Sequence, residues 1–233
     1  MLGSIDRLKT LRQLPIFPLP LILLPNQNLP LHIFEPRYRQ MLIDSLAGTK
    51  FFGVSFFDNE NTFAEQPEIG SIGCAAEITD VTELPDDRSN ILITGISRYR
   101  ILDYVENEKP YLIAEIEVFR DTEESRTSAK DIAKEVFELF DRIARAAFKL
   151  SGDRRKYETM EQNDPEELSF LVMAALNIDI ELKYELIKTV STYERLSKLR
   201  EILIAVVPGI EENSTILQAA QTNGHSKKPI DLE

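Results

Sequence analysis

The sequence predicts an α+β protein: a small mixed β-barrel domain followed by an α-helical domain. Three observations carry this. From residue 14 to residue 119 the apolar residues fall in short extended runs punctuated by proline, glycine and aspartate, with one helical stripe among them. From Asp121 onward the apolar period becomes helical. The chain has 233 residues and 43% hydrophobic content, a globular composition sufficient for one large or two small domains.

The stretch Leu14–Leu46 organises the first domain. Pro15, Pro18, Pro20 and Pro25 each remove a backbone donor and fix φ, so the opening apolar run cannot be one helix. It reads as extended pieces at Ile16–Phe17, Leu21–Leu24 and Leu31–Phe34. Then Tyr38, Met41, Leu42 and Ser45 fall at i, i+3, i+4 and i+7, the stripe of an amphipathic helix. Pro36 suits its first position, Glu35 its cap, and Gly48 a left-handed residue past its end.

Further strands follow at Phe51–Phe57, Ile72–Leu84, Ile91–Leu102 and Tyr111–Phe119, with a polar loop over Asp58–Pro67 and a turn at Pro85–Asp87. Gly95 inside a strand indicates a bulge or a close backbone approach. In the last strand Leu112, Ala114, Ile116 and Val118 alternate with Glu115 and Glu117, which is a half-buried pattern.

Thr122–Ser128 reads as a polar linker. Ile132, Val136, Phe140, Ile143 and Ala147 stripe a first helix ending near Gly152. Asp164-Pro165-Glu166-Glu167 supplies cap, first-turn proline and acids for a second helix through Leu176. A third begins near Asp179. Thr192–Val206 continues it or starts anew, with Leu196, Leu199, Leu203 and Val206 on one face and Pro208-Gly209 as its stop. Polar Gln218–Lys228 reads as a disordered tail. The expected domains are 12–120, 126–208 and a tail over 209–233.

The run L-P-I-F-P-L-P-L…L-P-L-H-I-F-E-P-R-Y-R-x-M, from Leu14 to Met41, resembles the opening of the Lon substrate-binding domain. It is most similar to the form that occurs free-standing, without ATPase and protease domains. Glu68–Ile78 and Ile93–Ile101 resemble that family's later strands, and the helical residues 185–203 resemble its C-terminal helices. The resemblance covers residues 12–205 in order. It implies a PUA-like barrel, recognition of unfolded or hydrophobic protein segments, no catalysis, and a protease or chaperone as a further partner.

The residues by themselves exclude several classes. Net charge is −12, and Lys+Arg against Asp+Glu count 11 to 17 over residues 1–120 and 16 to 22 thereafter, so each part carries −6. No basic half exists to draw a phosphate backbone or an anionic membrane. Nucleic acid is therefore disfavoured and no membrane is expected. No glycine-rich phosphate loop occurs, and Cys74 with the distant His32 and His225 makes no metal ligand set. Hence no catalytic, cofactor-binding or metal residues are assigned. His32 reads as a structural histidine and Cys74 as a buried thiol. One cysteine and no cleavable leader suit a cytoplasmic protein.

Two candidate surfaces remain. The apolar surplus around Leu21, Leu23, Leu31, Ile33, Phe34 and Tyr38 is either core on both faces or in part a groove for client peptides. Arg98 and Arg100, flanking Tyr99, either pair with carboxylates such as Glu115 or Glu117 across the sheet or grip RNA, as some PUA domains do.

Overall fold

The computed structural model describes residues 3–58, 66–150 and 164–223, with backbone alone at 124, 126, 149–150 and 213–223. In chain order the elements are α1 (Ser4–Lys9), β1 (Gln13–Leu19), β2 (Asn28–Ile33), α2 (Pro36–Ala47), β3 (Phe51–Phe56), β4 (Ile72–Glu83), β5 (Ser89–Tyr104) and β6 (Leu112–Phe119). The helices α3 (Glu123–Ser128), α4 (Lys130–Leu150), α5 (Pro165–Ala175), α6 (Ile180–Lys188) and α7 (Thr192–Asn223) follow. The chain packs as two units: Met1–Thr122 with Met173–Val190, and Glu123–Val172 with Ser191–Glu233.

In the first unit the strands pair in the order β2-β5-β4-β3-β1-β6, and β6 pairs with β5 as well. β1 and β3 run parallel, and the remaining pairs are antiparallel. Strand alternation sends successive side chains into two apolar clusters. Phe52, Val54, Ile78, Ile91 and Ile93 join Tyr38, Met41 and Leu42 of α2 in one. Leu14, Ile16, Phe51, Tyr99, Ile101 and Ile116 join Leu8 of α1 in the other. Tyr99 is fully buried, and a Cβ at Gly53 or Gly73 would fall 2.4 or 2.5 Å from its ring and hydroxyl. Those two glycines make room for the ring, and Ser55 Oγ lies 2.7 Å from its hydroxyl.

The α2 stripe is buried as its spacing predicts, at Tyr38, Met41, Leu42 and Ser45. Its ends differ from expectation. Glu35 stands at the N-cap, but no side-chain cap bond forms; its carboxylate accepts from Arg37 Nε at 2.9 Å instead. Gly48 has φ −106°, and the left-handed residue is Lys50, whose N–H reaches back to the Ser45 carbonyl at 2.8 Å. Leu21–Leu24 is not a strand. Ile22, Leu23 and Leu24 are buried in a turn in which Gln27 N–H donates to the Leu24 carbonyl at 3.1 Å and Asn26 takes φ 63°. A Cβ on Gly95 would stand 2.2 Å from that Leu24 carbonyl oxygen. Both roles expected of Gly95 occur, because the β4–β5 register also shifts between Ala75 and Ala76, opposite Ser97 and Gly95.

The helical unit departs more. Thr122–Ser128 is largely helical as α3. On α4 the buried apolar positions are Ala133, Val136, Phe140 and Ala146, while Ile132 and Ile143 are half-buried and Ala147 is exposed; α4 packs against α7. The expected end near Gly152 lies outside the described residues. α5 begins as predicted, with Asp164 Oδ1 accepting from the Glu166 N–H at 3.0 Å. α7 starts anew, the Glu194 N–H donating to Ser191 Oγ at 3.2 Å. Leu196, Leu199 and Leu203 are buried, but Val207 takes the fourth place and Val206 is exposed. Pro208 does not stop α7, which continues to Asn223. Proline forfeits one donor and crowds one turn, a local loss beside the helical bonds on either side. Residues 209–223, expected in the tail, belong to that helix, and 224–233 lie outside the described residues.

Among the described residues no helix is long and apolar enough to cross a membrane.

Candidate functional site

A cleft of about 950 Å³ opens in the first unit. One wall is the second half of β1, from Ile16 to Leu19, continued by Pro20. A second is the end of β2 and the start of α2, through Leu31, His32, Phe34 and Tyr38. The third is the β5–β6 loop, from Tyr104 to Tyr111. These segments meet because β1 lies beside β6 in the sheet while α2 packs over the cluster that includes Phe17. Phe17 and Tyr38 meet at the floor, their rings tilted by 40° with centroids 4.2 Å apart. Phe34 is 57% exposed at the rim, stacked on His32 at 5.9 Å.

Each of the cleft's two cations, Arg37 and Lys109, is matched by a carboxylate. Arg37 lies 2.9 Å from Glu35 and over the Tyr38 ring. Lys109 Nζ lies 2.8 Å from Asp44 Oδ2, and the Tyr111 hydroxyl donates to the same oxygen at 2.7 Å. Hydrogen bonds from Lys109 and then Tyr111 hold the Asp44 carboxyl below the usual carboxylate range. Burial raises Tyr38 and Tyr111, the latter also through its bond to Asp44, and pushes Tyr104 up to about 12. All three phenols therefore stay protonated near neutrality. Asp44 ties the β5–β6 loop to α2, and within the loop Asn107 accepts from the Lys109 N–H at 2.7 Å. The result is a mixed polar and aromatic surface whose cations are already matched, unsuited to binding an isolated phosphate.

Of the six residues singled out in the sequence, Leu31, Phe34 and Tyr38 line this cleft. Leu23 and Ile33 are 2% and 1% exposed in the core, and Leu21 packs half-buried against it. Sequence reasoning did not identify Asp44, Lys109 or Tyr111. Asn107 and Pro110 are turn-forming types, but nothing in the spacing shows that this loop returns to α2.

Arg98 and Arg100 are separated by the fold. Arg98 is 1% exposed and pairs with buried Asp121, donates to the Ile187 and Thr189 carbonyls at 2.9 and 2.7 Å, and lies over Phe119. A buried guanidinium persists only when so matched, and this one fastens the end of α6 to the sheet. Arg100 is exposed, 4.0 Å from Glu117. His32 is exposed, its Nδ1 2.7 Å from Asn90 Oδ1. Cys74 is buried and its thiol pushed up to about 12, chiefly by desolvation. Among the described residues no group of three His, Cys, Asp or Glu side chains could hold a metal ion.

Comparison with solved structures fixes the class. A Lon N-terminal domain protein from Xanthomonas campestris superposes with TM-score 0.57, covering 81% of this chain and 97% of its own at 17% identity. The N-terminal domain of the Mycobacterium avium complex Lon protease gives 0.58, covering 82% and 97% at 19% identity. This is the α+β fold of Lon N-terminal domains. The family model for the ATP-dependent protease La (LON) substrate-binding domain matches residues 13–205, and the chain belongs to that family. Among full-length relatives, the Lon proteases of Dictyoglomus thermophilum and Anaeromyxobacter dehalogenans are 25% and 26% identical over 190 and 202 residues, covering 80% and 82% of this chain. The chain spans about a quarter of their length, 23% in each case.

Proposed function

We propose that this chain recognises segments of other polypeptides without transforming them, as an adaptor or chaperone-like factor that presents clients to a protease or chaperone. The observation that carries this reading is the cleft: an aromatic floor, an exposed Phe34 at its rim, and cations already matched by carboxylates. Such a surface favours apolar side chains of a client. Membership of a family described as substrate-binding supports it. Leu31, Phe34 and Tyr38 make the contacts, and no side chain performs chemistry.

The test is fluorescence anisotropy with a permanently unfolded model client, reduced and carboxymethylated α-lactalbumin. Binding should persist as salt is raised, because burial of apolar area is hardly screened. Phe34→Ser and Leu31→Ser should each weaken it about tenfold. Absence of binding, or affinity that collapses with salt, overturns the reading.

A further inference from the structure

Among the described residues β2 is hydrogen-bonded on one side only, to β5. One bond reveals which way its peptide groups point. The Gly95 N–H donates to the Gln27 carbonyl at 2.9 Å, which puts Gln27 and Gly95, one step beyond the Asn28–Thr94 pair, at a bonding position of the ladder, with the Gln27 N–H turned to the Leu24 carbonyl instead. Antiparallel pairs alternate between bonded and non-bonded. Leu29, Leu31 and Ile33 therefore exchange backbone bonds with β5, and Asn28, Pro30 and His32 turn theirs outward. Two side-chain contacts agree. Thr94 Oγ1 donates to Asn28 Oδ1 at 2.7 Å, and His32 Nδ1 lies 2.7 Å from Asn90 Oδ1. Such contacts belong to non-bonded pairs, where side chains stand closest. Pro30 sits where the ladder needs no donor.

The open edge thus presents the N–H groups of Asn28 and His32 and the carbonyls of Asn28, Pro30 and His32. It runs into the cleft, which Leu31, His32 and Phe34 line. Leu29 and Leu31 face the core cluster yet stay half-buried, while Asn28, Pro30 and His32 are exposed.

We propose that the client segment docks by adding a strand to this edge of β2. The occupant is an extended stretch of another polypeptide in which every second residue is apolar. Its apolar side chains cover Leu29, Leu31 and the Phe34 rim, its polar ones lie beside Asn28, Pro30 and His32, and its amides supply the bonds that β2 lacks. This deepens the recognition reading above and rests on it.

The experiment takes the tightest-binding ten-residue segment from an array tiled across the same carboxymethylated α-lactalbumin. It is resynthesised with a single backbone N-methyl group at each position in turn. Strand addition points alternate amides at β2 and the others at solvent, so affinity should fall about tenfold at every second position and hold between them. The His32→Pro variant, which deletes one outward donor without breaking the β5 ladder, should bind the unmethylated segment several-fold more weakly than His32→Ala, which keeps it. If segments bind but methylation acts evenly or not at all, strand addition is overturned and recognition stands. If no segment binds, the recognition reading falls with it. If sedimentation shows a dimer that His32→Pro dissociates, the occupant is a second copy and the client proposal is overturned.

Discussion

Residues 21–24 read Leu-Ile-Leu-Leu and residues 29–34 read Leu-Pro-Leu-His-Ile-Phe, two greasy runs separated by a single turn. Ile22, Leu23 and Leu24 of the first are buried in the core without belonging to any strand. Leu24 is fully buried, and its carbonyl fills the space that Gly95 leaves open. The second is a regular strand, yet among the described residues one of its edges has no partner strand, and the run ends in an exposed phenylalanine. Hydrophobicity does not separate the two. What separates them is whether the surrounding backbone closes over both sides, and here only the less regular run is enclosed.

The comparison predicts opposite consequences for similar truncations. Leu23→Ala, at a fully packed position, should cost about 2–5 kcal/mol of stability, seen as a lower urea midpoint with binding changed only through unfolding. A variant with an unchanged midpoint would place that run outside the core. Gly95→Ala tests the same enclosure from the other side. A methyl group 2.2 Å from a backbone carbonyl must move the Leu24 turn, and overpacking of this kind costs about 1–3 kcal/mol.

On the open side the effects are smaller. Asp44 has a lowered pKa in the folded chain. Its contribution is therefore fully present above the ordinary carboxylate range and is lost as pH falls through the folded value. Asp44→Asn should remove that part of the acid dependence of stability, an effect below about 1 kcal/mol for a half-buried carboxylate paired with an exposed lysine, and should loosen the β5–β6 wall of the cleft. Equal acid sensitivity of the variant and the native chain would show that Asp44 does not hold that wall. Phe34→Ser should shift stability by no more than about 0.5 kcal/mol, because its ring is exposed and belongs to neither apolar cluster. A large loss of thermal midpoint there would make the rim structural and erase the contrast between the two runs.

Arg98 and Arg100 repeat the lesson. Two arginines flanking an aromatic, on one face of a strand, look equivalent in sequence. Arg98 is capped by Asp121 and the carbonyls at the end of α6, whereas Arg100 stands beside Glu117 near solvent. The groups that bury Arg98 lie 23, 89 and 91 residues along the chain. No local pattern could have named them.

The sequence by itself determined the class of fold, the strands other than the extended piece expected at Leu21–Leu24, the α2 stripe and the family, because these depend on periods of two and 3.6 and on proline and glycine punctuation, all local quantities. It also placed three of the six apolar candidates, Leu31, Phe34 and Tyr38, where the cleft formed. Tertiary structure alone decided that Leu23 is core while Leu31 borders an open edge, that α7 runs through Pro208, and that Asp44 reaches Lys109 and Tyr111. The physical reason is common to all three. Local propensity sets what a segment can be, while burial and pairing depend on which distant backbone arrives beside it, and that is settled only when the whole chain has closed.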